Sequence, residues 1–312
     1  MGQRVVVTGG AGFIGANLCA HLAGCDWVDS VVALDNLATG FESNLDGVDC
    51  ELVVGSILSQ ADLDRAFAGA DAVVHLAARP SVPRSIEDPM ASHDVNATGT
   101  LMVLEAVRRH DVGFVACASS SSVYGANPQL PKTETMVAQP MSPYAVSKLA
   151  TEQYTLSHAR VFGFAALPFR FFNVFGPLQP AGHAYAAVIP AFVDAALAGE
   201  PLPVHGDGTQ SRDFTYVGDV CHVIAEAVRG RVDSEMPVNL AFGGRYTLLD
   251  TIERLESILG TSLDRDHQPS RAGDVPHSQA DQTSLRGLFP DLTPTSIDTG
   301  LETTVAWHRS LR

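Results

Sequence analysis

A tyrosine and a lysine four residues apart have the clearest catalytic chemistry in this sequence. Tyr144 and Lys148 form the pattern YxxxK, and Ser142 and Pro143 before them are typical of a helix N-cap followed by proline in the first turn. Residues four apart share one helix face, so the Lys148 ammonium can lie beside the Tyr144 phenol. A nearby positive charge lowers the pKa of a phenol, which predicts a tyrosine general base. Because YxxxK is short and can occur by chance, its meaning depends on the segments around it.

A run of four serines, residues 119–122, follows an apolar segment over residues 114–117. In parallel α/β proteins the carboxyl ends of the strands border the ligand crevice, so a hydroxyl there can reach a substrate. The same run also fits a serine-rich turn with no catalytic role. These residues alone leave both interpretations open.

Glycines near the amino terminus predict a dinucleotide site. Gly9, Gly12 and Gly15 lie between an apolar run and a helical segment, and Asp35 follows about twenty residues later at the end of the next apolar run. Such glycines allow a tight turn, a close backbone approach to a diphosphate and close packing of helix on strand. A carboxylate at position 35 accepts hydrogen bonds from ribose hydroxyls and repels a 2′-phosphate. Since no Arg or Lys occurs between residues 35 and 52, the site favours NAD over NADP.

The elements that must position these residues alternate between strand and helix. Apolar runs at residues 4–8, 30–34, 50–54, 72–76, 114–118 and 165–171 are separated by helical stretches. Parallel strands need long crossovers, and strands buried on both faces read as continuous apolar runs. The sequence therefore predicts an α/β fold with a Rossmann doubly wound parallel sheet.

The pattern changes after Asn173, where proline and glycine cluster. Helices are expected at residues 188–197 and 302–308, and a strand edge and helix returning to the main sheet at residues 214–227. We expect residues 1–173 and about 214–241 to form the NAD-binding domain. A smaller, discontinuous C-terminal substrate lobe is expected from about 174–213 and 242–312.

Composition excludes several classes of function. The formal net charge of −15 argues against a nucleic-acid-binding protein, which would carry a basic stripe. No apolar run is long enough for a membrane span, and a strand begins too near residue 1 to leave room for a signal peptide. The five cysteines are odd in number and contain no CxxC pair, so we expect reduced thiols in a cytoplasmic protein.

Seven segments spread over the chain combine these motifs: TGGAGFIG, DNLATG, HLAA, SSSSVYG, SPYAVSK, RFFNVFG and GDGTQSRDFTYVGDV. Together they resemble the extended short-chain dehydrogenase/reductase family, and within it the nucleotide-sugar 4-epimerases, notably those of UDP-glucose and UDP-N-acetylglucosamine. The resemblance runs from Val5 to about Asp281 and covers nearly the whole chain. It implies a Rossmann fold, NAD as cofactor and a UDP-sugar as substrate.

Carried onto this sequence, the resemblance implies a catalytic triad of Ser120, Tyr144 and Lys148. Tyr144 would take the proton of the sugar 4-hydroxyl, Ser120 would hydrogen-bond the same oxygen, and Lys148 would hold the nicotinamide ribose. Hydride would pass from carbon 4 to NAD and return to the other face, so NAD would stay bound. The implied cofactor contacts are Gly9, Gly12, Phe13, Ile14, Gly15, Asp35, Asn36, Ser56, Ile57, Leu76, Ala77, Ala78, Tyr144 and Lys148.

The resemblance also implies a substrate site rich in arginine, whose planar fork suits a diphosphate. Arg212 and Arg271 would grip the diphosphate and Asp274 a ribose hydroxyl. The implied substrate contacts are Arg84, Ser120, Ser121, Asn173, Val188, Arg212, Arg271, Asp274 and Ser278. One departure concerns adenine: relatives often carry Asp after the third strand, where this chain has Ser56, which predicts a weaker contact.

Related chemistries differ at a few positions. The 4,6-dehydratases carry an Asp–Glu pair, and the decarboxylases a Glu, where this chain has Ser121 and Ser122. UDP-glucuronate 4-epimerases tend to have Thr at the position of Asn173, which makes a uronate less favoured here. A bulky Tyr at the position of Ser278 excludes an N-acetyl group, so Ser278 permits UDP-GlcNAc and UDP-GalNAc as well as UDP-Glc and UDP-Gal. A non-catalytic NAD-binding regulator is a remote alternative, because the triad is complete.

Members of this family commonly form homodimers in which two helices of each chain build a four-helix bundle. Helices following Asn96 and Pro143 would supply it here, so the resemblance implies a homodimer. The sequence does not distinguish such an interface from burial within one chain.

Overall fold

The computed structural model describes residues 2–181, 187–269 and 276–312. Its strands are β1 (Gln3–Thr8), β2 (Val28–Asp35), β3 (Glu51–Val54), β4 (Ala72–His75), β5 (Phe114–Ser120), β6 (Ala165–Phe171), β7 (Asn173–Phe175), β8 (Leu202–His205), β9 (Ser211–Arg212), β10 (Phe214–Tyr216), β11 (Val238–Leu240), β12 (Tyr246–Thr247) and β13 (Arg265–Gln268).

The helices are α1 (Phe13–Ala23), α2 (Gln60–Phe67), α3 (Val82–Glu87), α4 (Pro89–His93), α5 (Gly99–Arg109), α6 (Pro143–Phe162), α7 (Val188–Ala198), α8 (Val217–Gly230), α9 (Leu248–Leu259), α10 (Thr283–Leu288) and α11 (Ile297–Ser310). A π-helical turn, Asp94–Thr98, joins α4 to α5. Within the described ranges, no helix is both long and apolar enough to cross a membrane.

A seven-stranded parallel sheet forms the centre of the fold, in the order β11-β6-β5-β4-β1-β2-β3. Successive β1 side chains point to opposite faces, so Val5 and Val7 join one hydrophobic cluster with α1 and α8 while Val6 joins another with α2 and α5. Helices on both faces confirm the predicted Rossmann fold. Strand order reverses between β1 and β4, and ligands bind at such a switch point.

A third hydrophobic cluster lies in the C-terminal part of the chain, built from α7, α9, α11 and β8. Three two-stranded sheets accompany it, β10 with β7, β12 with β9 and β13 with β8. The helix predicted within residues 214–227 does pack on the central sheet as α8. The preceding strand β10 differs from the prediction, because it pairs with β7 while β11 takes the edge position beside β6.

Candidate active site

A cleft of about 740 Å³ lies over the carboxyl ends of β1, β2, β4 and β5. Of the cofactor contacts predicted from sequence, Ser56 alone is missing from its lining. The cleft is also lined by Ser120 and Arg84 from the predicted substrate set. Parallel strands thus bring segments from the first and second hundred residues to one edge of the sheet, as Rossmann topology requires.

The glycine loop between β1 and α1 has no room for side chains at two positions. Gly9 has a φ of +72°, and a Cβ there would lie 2.8 Å from the Ala77 amide nitrogen. A Cβ at Gly15 would lie 2.0 Å from the Gly9 carbonyl oxygen, well inside any allowed contact. The loop therefore depends on the absence of side chains, because only bare backbone fits this close approach.

The first turn of α1 and the Asp35 carboxylate fit a dinucleotide. The N-cap of α1 is Gly12, which has no side chain to cap the helix, and the first turn holds no acidic residue. Its amide groups are therefore suited to a diphosphate. Asp35 is buried; one carboxylate oxygen accepts from the Ala11 amide at 3.0 Å and the other from Leu37 at 2.8 Å. This carboxylate both holds the glycine loop and keeps lone pairs for ribose hydroxyls.

Ser56 differs from the predicted adenine contact. Its neighbours Gly55 and Ile57 line the cleft, whereas Ser56 does not. The Ser56 hydroxyl accepts from the Leu58 amide at 3.1 Å, and its own amide donates to the Asp62 carboxylate at 3.0 Å. Both bonds lie in the turn before α2, and the bond from the Ser56 amide lowers the pKa of Asp62. The contact of Ser56 with adenine therefore stays a prediction.

The three predicted catalytic side chains meet at the other end of the cleft. Ser120 ends β5, while Tyr144 and Lys148 lie on the first turns of α6. That helix begins as predicted, with the Ser142 hydroxyl accepting from the Ala145 amide at 3.2 Å and Pro143 in the first turn. All three side chains line the cleft, and the Ser120 hydroxyl is near enough to lower the pKa of Tyr144. Ser121 begins the short helical turn after β5.

The electrostatics of Tyr144 differ from what the YxxxK spacing predicts. Burial raises the pKa of Tyr144, and the hydrogen bond from Ser120 opposes that rise. The Lys148 ammonium donates to the Ala118 carbonyl at 2.9 Å, and burial lowers the pKa of Lys148 to about 8. Ser120, rather than Lys148, is therefore the group that lowers the pKa of Tyr144 in the chain itself.

His75, at the end of β4, is a buried residue that sequence reasoning did not single out. It is 3% exposed, its Nδ1 lies 2.8 Å from the Thr8 hydroxyl and its Nε2 lies 3.0 Å from the Thr100 hydroxyl. Burial and the nearby Lys148 charge lower the pKa of His75 to about 3, so the ring is neutral at pH 7. The sequence signal that could have identified His75 is its place in the HLAA motif. It joins β1, which leads into the glycine loop, to α5.

Predicted substrate residues gather around β9 rather than in the cleft lining. The Ser211 carbonyl accepts both the Arg212 guanidinium and the Ser278 amide, each at 3.0 Å. Asn173 bonds the Asp213 carbonyl through its backbone amide at 3.2 Å and its side-chain amide at 3.3 Å. The structure thus brings Arg212 and Ser278 together, and Asn173 of β7 is bonded to Asp213, the residue that follows Arg212.

The remaining predicted substrate residues are spread more widely. Val188 begins α7, at the border of the third hydrophobic cluster. Arg84 lies on α3 in the cleft wall. Arg271 and Asp274 lie outside the described residues. Gln179 and Arg79 line the cleft but were missed; Gln179 follows the RFFNVFG motif, and Arg79 pairs with Asp88 at 3.2 Å.

Sequence and structure comparisons identify the class of protein that carries this cleft. The chain belongs to the NAD dependent epimerase/dehydratase family, whose sequence model matches residues 5–241. NAD is accordingly its cofactor, in agreement with the glycine loop and Asp35.

Individual relatives are similar over their full length. A UDP-glucose 4-epimerase of Mycolicibacterium smegmatis is 32% identical over 315 residues, which cover 99% of each chain. The structure of a UDP-N-acetylglucosamine 4-epimerase from Methanobrevibacter ruminantium, in complex with UDP-N-acetylmuramic acid, has a TM-score of 0.93 at 34% identity and covers 100% of this chain and 99% of its own. A Thermus thermophilus UDP-glucose 4-epimerase in complex with NAD has a TM-score of 0.87 at 31% identity and covers 99% of this chain and 100% of its own.

Proposed function

We propose that this protein is an NAD-dependent 4-epimerase of UDP-hexoses, an isomerase that acts through a transient 4-keto sugar. The observation that carries the proposal is that Ser120, Tyr144 and buried Lys148 meet at one end of an NAD cleft, with Tyr144 and Lys148 one helical turn apart on α6. The named epimerases that match over the whole chain support the same activity.

Tyr144 is the general base of this mechanism and Ser120 its partner. The Tyr144 phenolate takes the proton of the sugar 4-hydroxyl, and the Ser120 hydroxyl holds the same oxygen. NAD would be held by the glycine loop, Asp35 and Lys148, and its nicotinamide ring would supply reversible hydride chemistry beside the sugar. Lys148 is positively charged at pH 7, since its pKa is about 8. Its ammonium is assigned to the nicotinamide ribose, while the Ser120 hydroxyl favours the phenolate form of Tyr144.

The nucleotide part of the substrate is assigned to the residues around β9. We propose that Arg212 and Arg271 bind the diphosphate, that Asp274 holds a ribose hydroxyl, and that Asn173, Val188 and Ser121 border the sugar. Arg212 is largely buried and already held by the Ser211 and Pro276 carbonyls at 3.0 and 3.2 Å. A guanidinium fixed in this way can bind a diphosphate with little further loss of side-chain freedom.

Dehydration and decarboxylation are less suited to this site. Eliminating water from carbons 5 and 6 requires an acid and a base beside the sugar, and the two positions after Ser120 hold Ser121 and Ser122. Neither hydroxyl can act as the missing carboxylate.

Incubation with UDP-GlcNAc, UDP-Glc and UDP-GlcA without added reductant tests the assignment of 4-epimerase activity. A 4-epimer from at least one of them is expected; a 4-keto-6-deoxy product, or no isomer from any of them, contradicts it.

Ser278 is proposed to leave room for the substituent on sugar carbon 2. It is 7% exposed and is held to Ser211 by its backbone amide, so its side chain faces a packed environment. Replacing it with tyrosine (Ser278→Tyr) should abolish turnover of UDP-GalNAc and retain that of UDP-Gal, because a larger side chain fills the space. Relative kcat/KM for the two substrates measures this. Equal losses on both substrates would assign Ser278 to packing alone.

We also propose a cytoplasmic homodimer. The exposed side of α6 carries Val146, Tyr154, Val161 and Phe162, which are 53%, 40%, 68% and 47% exposed. An apolar stripe of this kind on a twenty-residue helix suits pairing with a second copy in a four-helix bundle. Light scattering after size exclusion should give twice the chain mass, and Val161→Glu should give monomers. A monomeric wild type would reject the dimer.

A further inference from the structure

A buried carboxylate lies on the same face of α6 as the catalytic residues. Glu152 follows Tyr144 by two helical turns and Lys148 by one, so the three side chains lie along one stripe of the helix. Glu152 is 0% exposed. Neither the proposed chemistry nor the predicted cofactor contacts use it.

Glu152 joins α6 to two strands of the central sheet. Its carboxylate accepts the Arg170 guanidinium from β6 at two atoms, Nε at 2.8 Å and Nη2 at 2.9 Å. It also accepts the Ser119 hydroxyl from β5 at 2.5 Å. The Ser119 hydroxyl lies 3.3 Å from the Lys148 carbonyl as well. Every bond therefore crosses from the catalytic helix to the strands beneath it.

Ion pairs at such depth are costly to bury and stabilise a fold weakly compared with apolar packing, so their usual value is in fixing one arrangement of parts. Here the fixed arrangement has a direct catalytic meaning. Ser119 immediately precedes Ser120 on β5, and Tyr144 lies two turns before Glu152 on α6. A bond between Ser119 and Glu152 sets the register between the two elements whose ends carry Ser120 and Tyr144.

We propose that Glu152 is a positioning residue for the epimerase reaction, which holds α6 against the end of β5 so that Tyr144 and Ser120 stay hydrogen-bonded. The inference rests on the proposed function, because it assigns Tyr144 as the base. If α6 moves away from β5, the bond that lowers the pKa of Tyr144 is weakened, and the pKa of the phenol rises.

Other charged groups near Tyr144 do not change in the experiment. Lys148 from α6 and Arg84 from α3 share its cleft, and neutral His75 from β4 is within electrostatic reach of Lys148. Ser120 from β5 is the uncharged partner. The acid limb of the pH profile is the low-pH side on which kcat falls as Tyr144 is protonated. A shift of this limb therefore reports on the contact between Tyr144 and Ser120.

Glu152→Gln is the first variant to measure, by the pH dependence of kcat for whichever UDP-hexose the wild type converts. The acid limb should move to higher pH by about half a unit or more, toward the limb of Ser120→Ala. The kcat at pH 7 should fall by about three-fold or more, in step with the limb shift, with the KM for the nucleotide sugar nearly unchanged. The double variant Glu152→Gln/Ser120→Ala should have the same acid limb as Ser120→Ala alone, since both changes act on one contact.

Ser119→Ala is the second variant, because Glu152→Gln leaves Arg170 without its charged partner and can reduce folding. It removes the Ser119 bond alone and keeps the ion pair, so a smaller shift in the same direction is expected. Thr155→Val is the matched control. Thr155 is equally buried on α6 and reaches β5 through the Cys117 thiol at 3.3 Å, yet it lies one turn beyond Glu152. It should lower the melting temperature and leave the acid limb unchanged.

The outcomes separate the inference from the proposed function. A wild type that converts no UDP-hexose overturns the epimerase assignment. An active wild type whose acid limb is unchanged in both Glu152→Gln and Ser119→Ala, with losses at all pH values alike, reduces Glu152 to a structural ion pair. An equal limb shift in Thr155→Val has the same consequence, because the effect would then follow from any loosening of α6.

Discussion

The two ends of the cleft are built from different chemical groups. At the nucleotide end, over β1 and β2, the functional groups are backbone amides of the glycine loop and the carboxylate of Asp35 that holds it. At the catalytic end, over β4 and β5, they are side chains: Tyr144, Lys148 and Ser120, supported by His75.

The two ends of the cleft are therefore expected to lose function through opposite kinds of substitution. Backbone groups can be brought close to a ligand only where side chains are absent, so the nucleotide end is damaged by adding an atom. Buried polar side chains act through single hydrogen bonds, so the catalytic end is damaged by removing one.

Removing one oxygen at the catalytic end should abolish turnover and spare the cofactor. Tyr144→Phe loses the general base but keeps the ring, and epimerase kcat should fall by about 10²- to 10⁴-fold. The NAD content of the purified protein should match that of the wild type, as judged by release of the cofactor on denaturation. Loss of NAD together with activity would show that the two ends are not separable.

Adding one carbon at the nucleotide end should instead weaken the binding of the cofactor. Gly15→Ala places a Cβ 2.0 Å from the Gly9 carbonyl oxygen, so the loop must shift. We expect NAD affinity to fall at least about ten-fold and the free energy of unfolding to drop by about 1–3 kcal/mol. Calorimetric titration and denaturant unfolding measure these. Gly287→Ala is the control, since a Cβ there meets nothing within 4 Å. Unchanged NAD binding in Gly15→Ala would reject the close-approach argument.

The smallest effect concerns the pH dependence of stability through His75. Its pKa is about 3 in the folded chain and about 6.5 when unfolded, so the unfolded state binds the extra proton first. The stability contributed by neutral His75 is complete above pH 6.5 and is lost as pH falls toward 3. Between pH 7 and pH 5 this amounts to about 2 kcal/mol.

His75→Gln removes the titrating group and keeps an amide able to bond one threonine. The free energy of unfolding should therefore decline less between pH 7 and pH 5 in the variant than in the wild type, even where the variant is less stable at pH 7. Urea unfolding at the two pH values gives the comparison. Equal declines in the free energy of unfolding would mean that His75 is not responsible for the loss of stability between pH 7 and pH 5.

Much of the fold could be predicted from local patterns. Apolar runs located six strands of the central sheet within a few residues, and the N-cap at Ser142 with Pro143 located the start of α6. Strand β11, three residues long, went unassigned, as did the pairing of β10 with β7. Short strands carry little periodic signal, and their partners are chosen by the edges that remain free.

Local sequence patterns were enough to predict the glycine loop and the proposed catalytic side chains. Both are encoded locally, the first by glycine spacing before a helix and the second by residues one helical turn apart. The ionisation of those side chains and the contacts that hold them depend on the tertiary structure. The pKa of Tyr144 depends on its burial and on Ser120, and Glu152 finds Ser119 and Arg170 on two different strands. Burial and long-range pairing follow from the packing of the whole chain, which no local spacing contains.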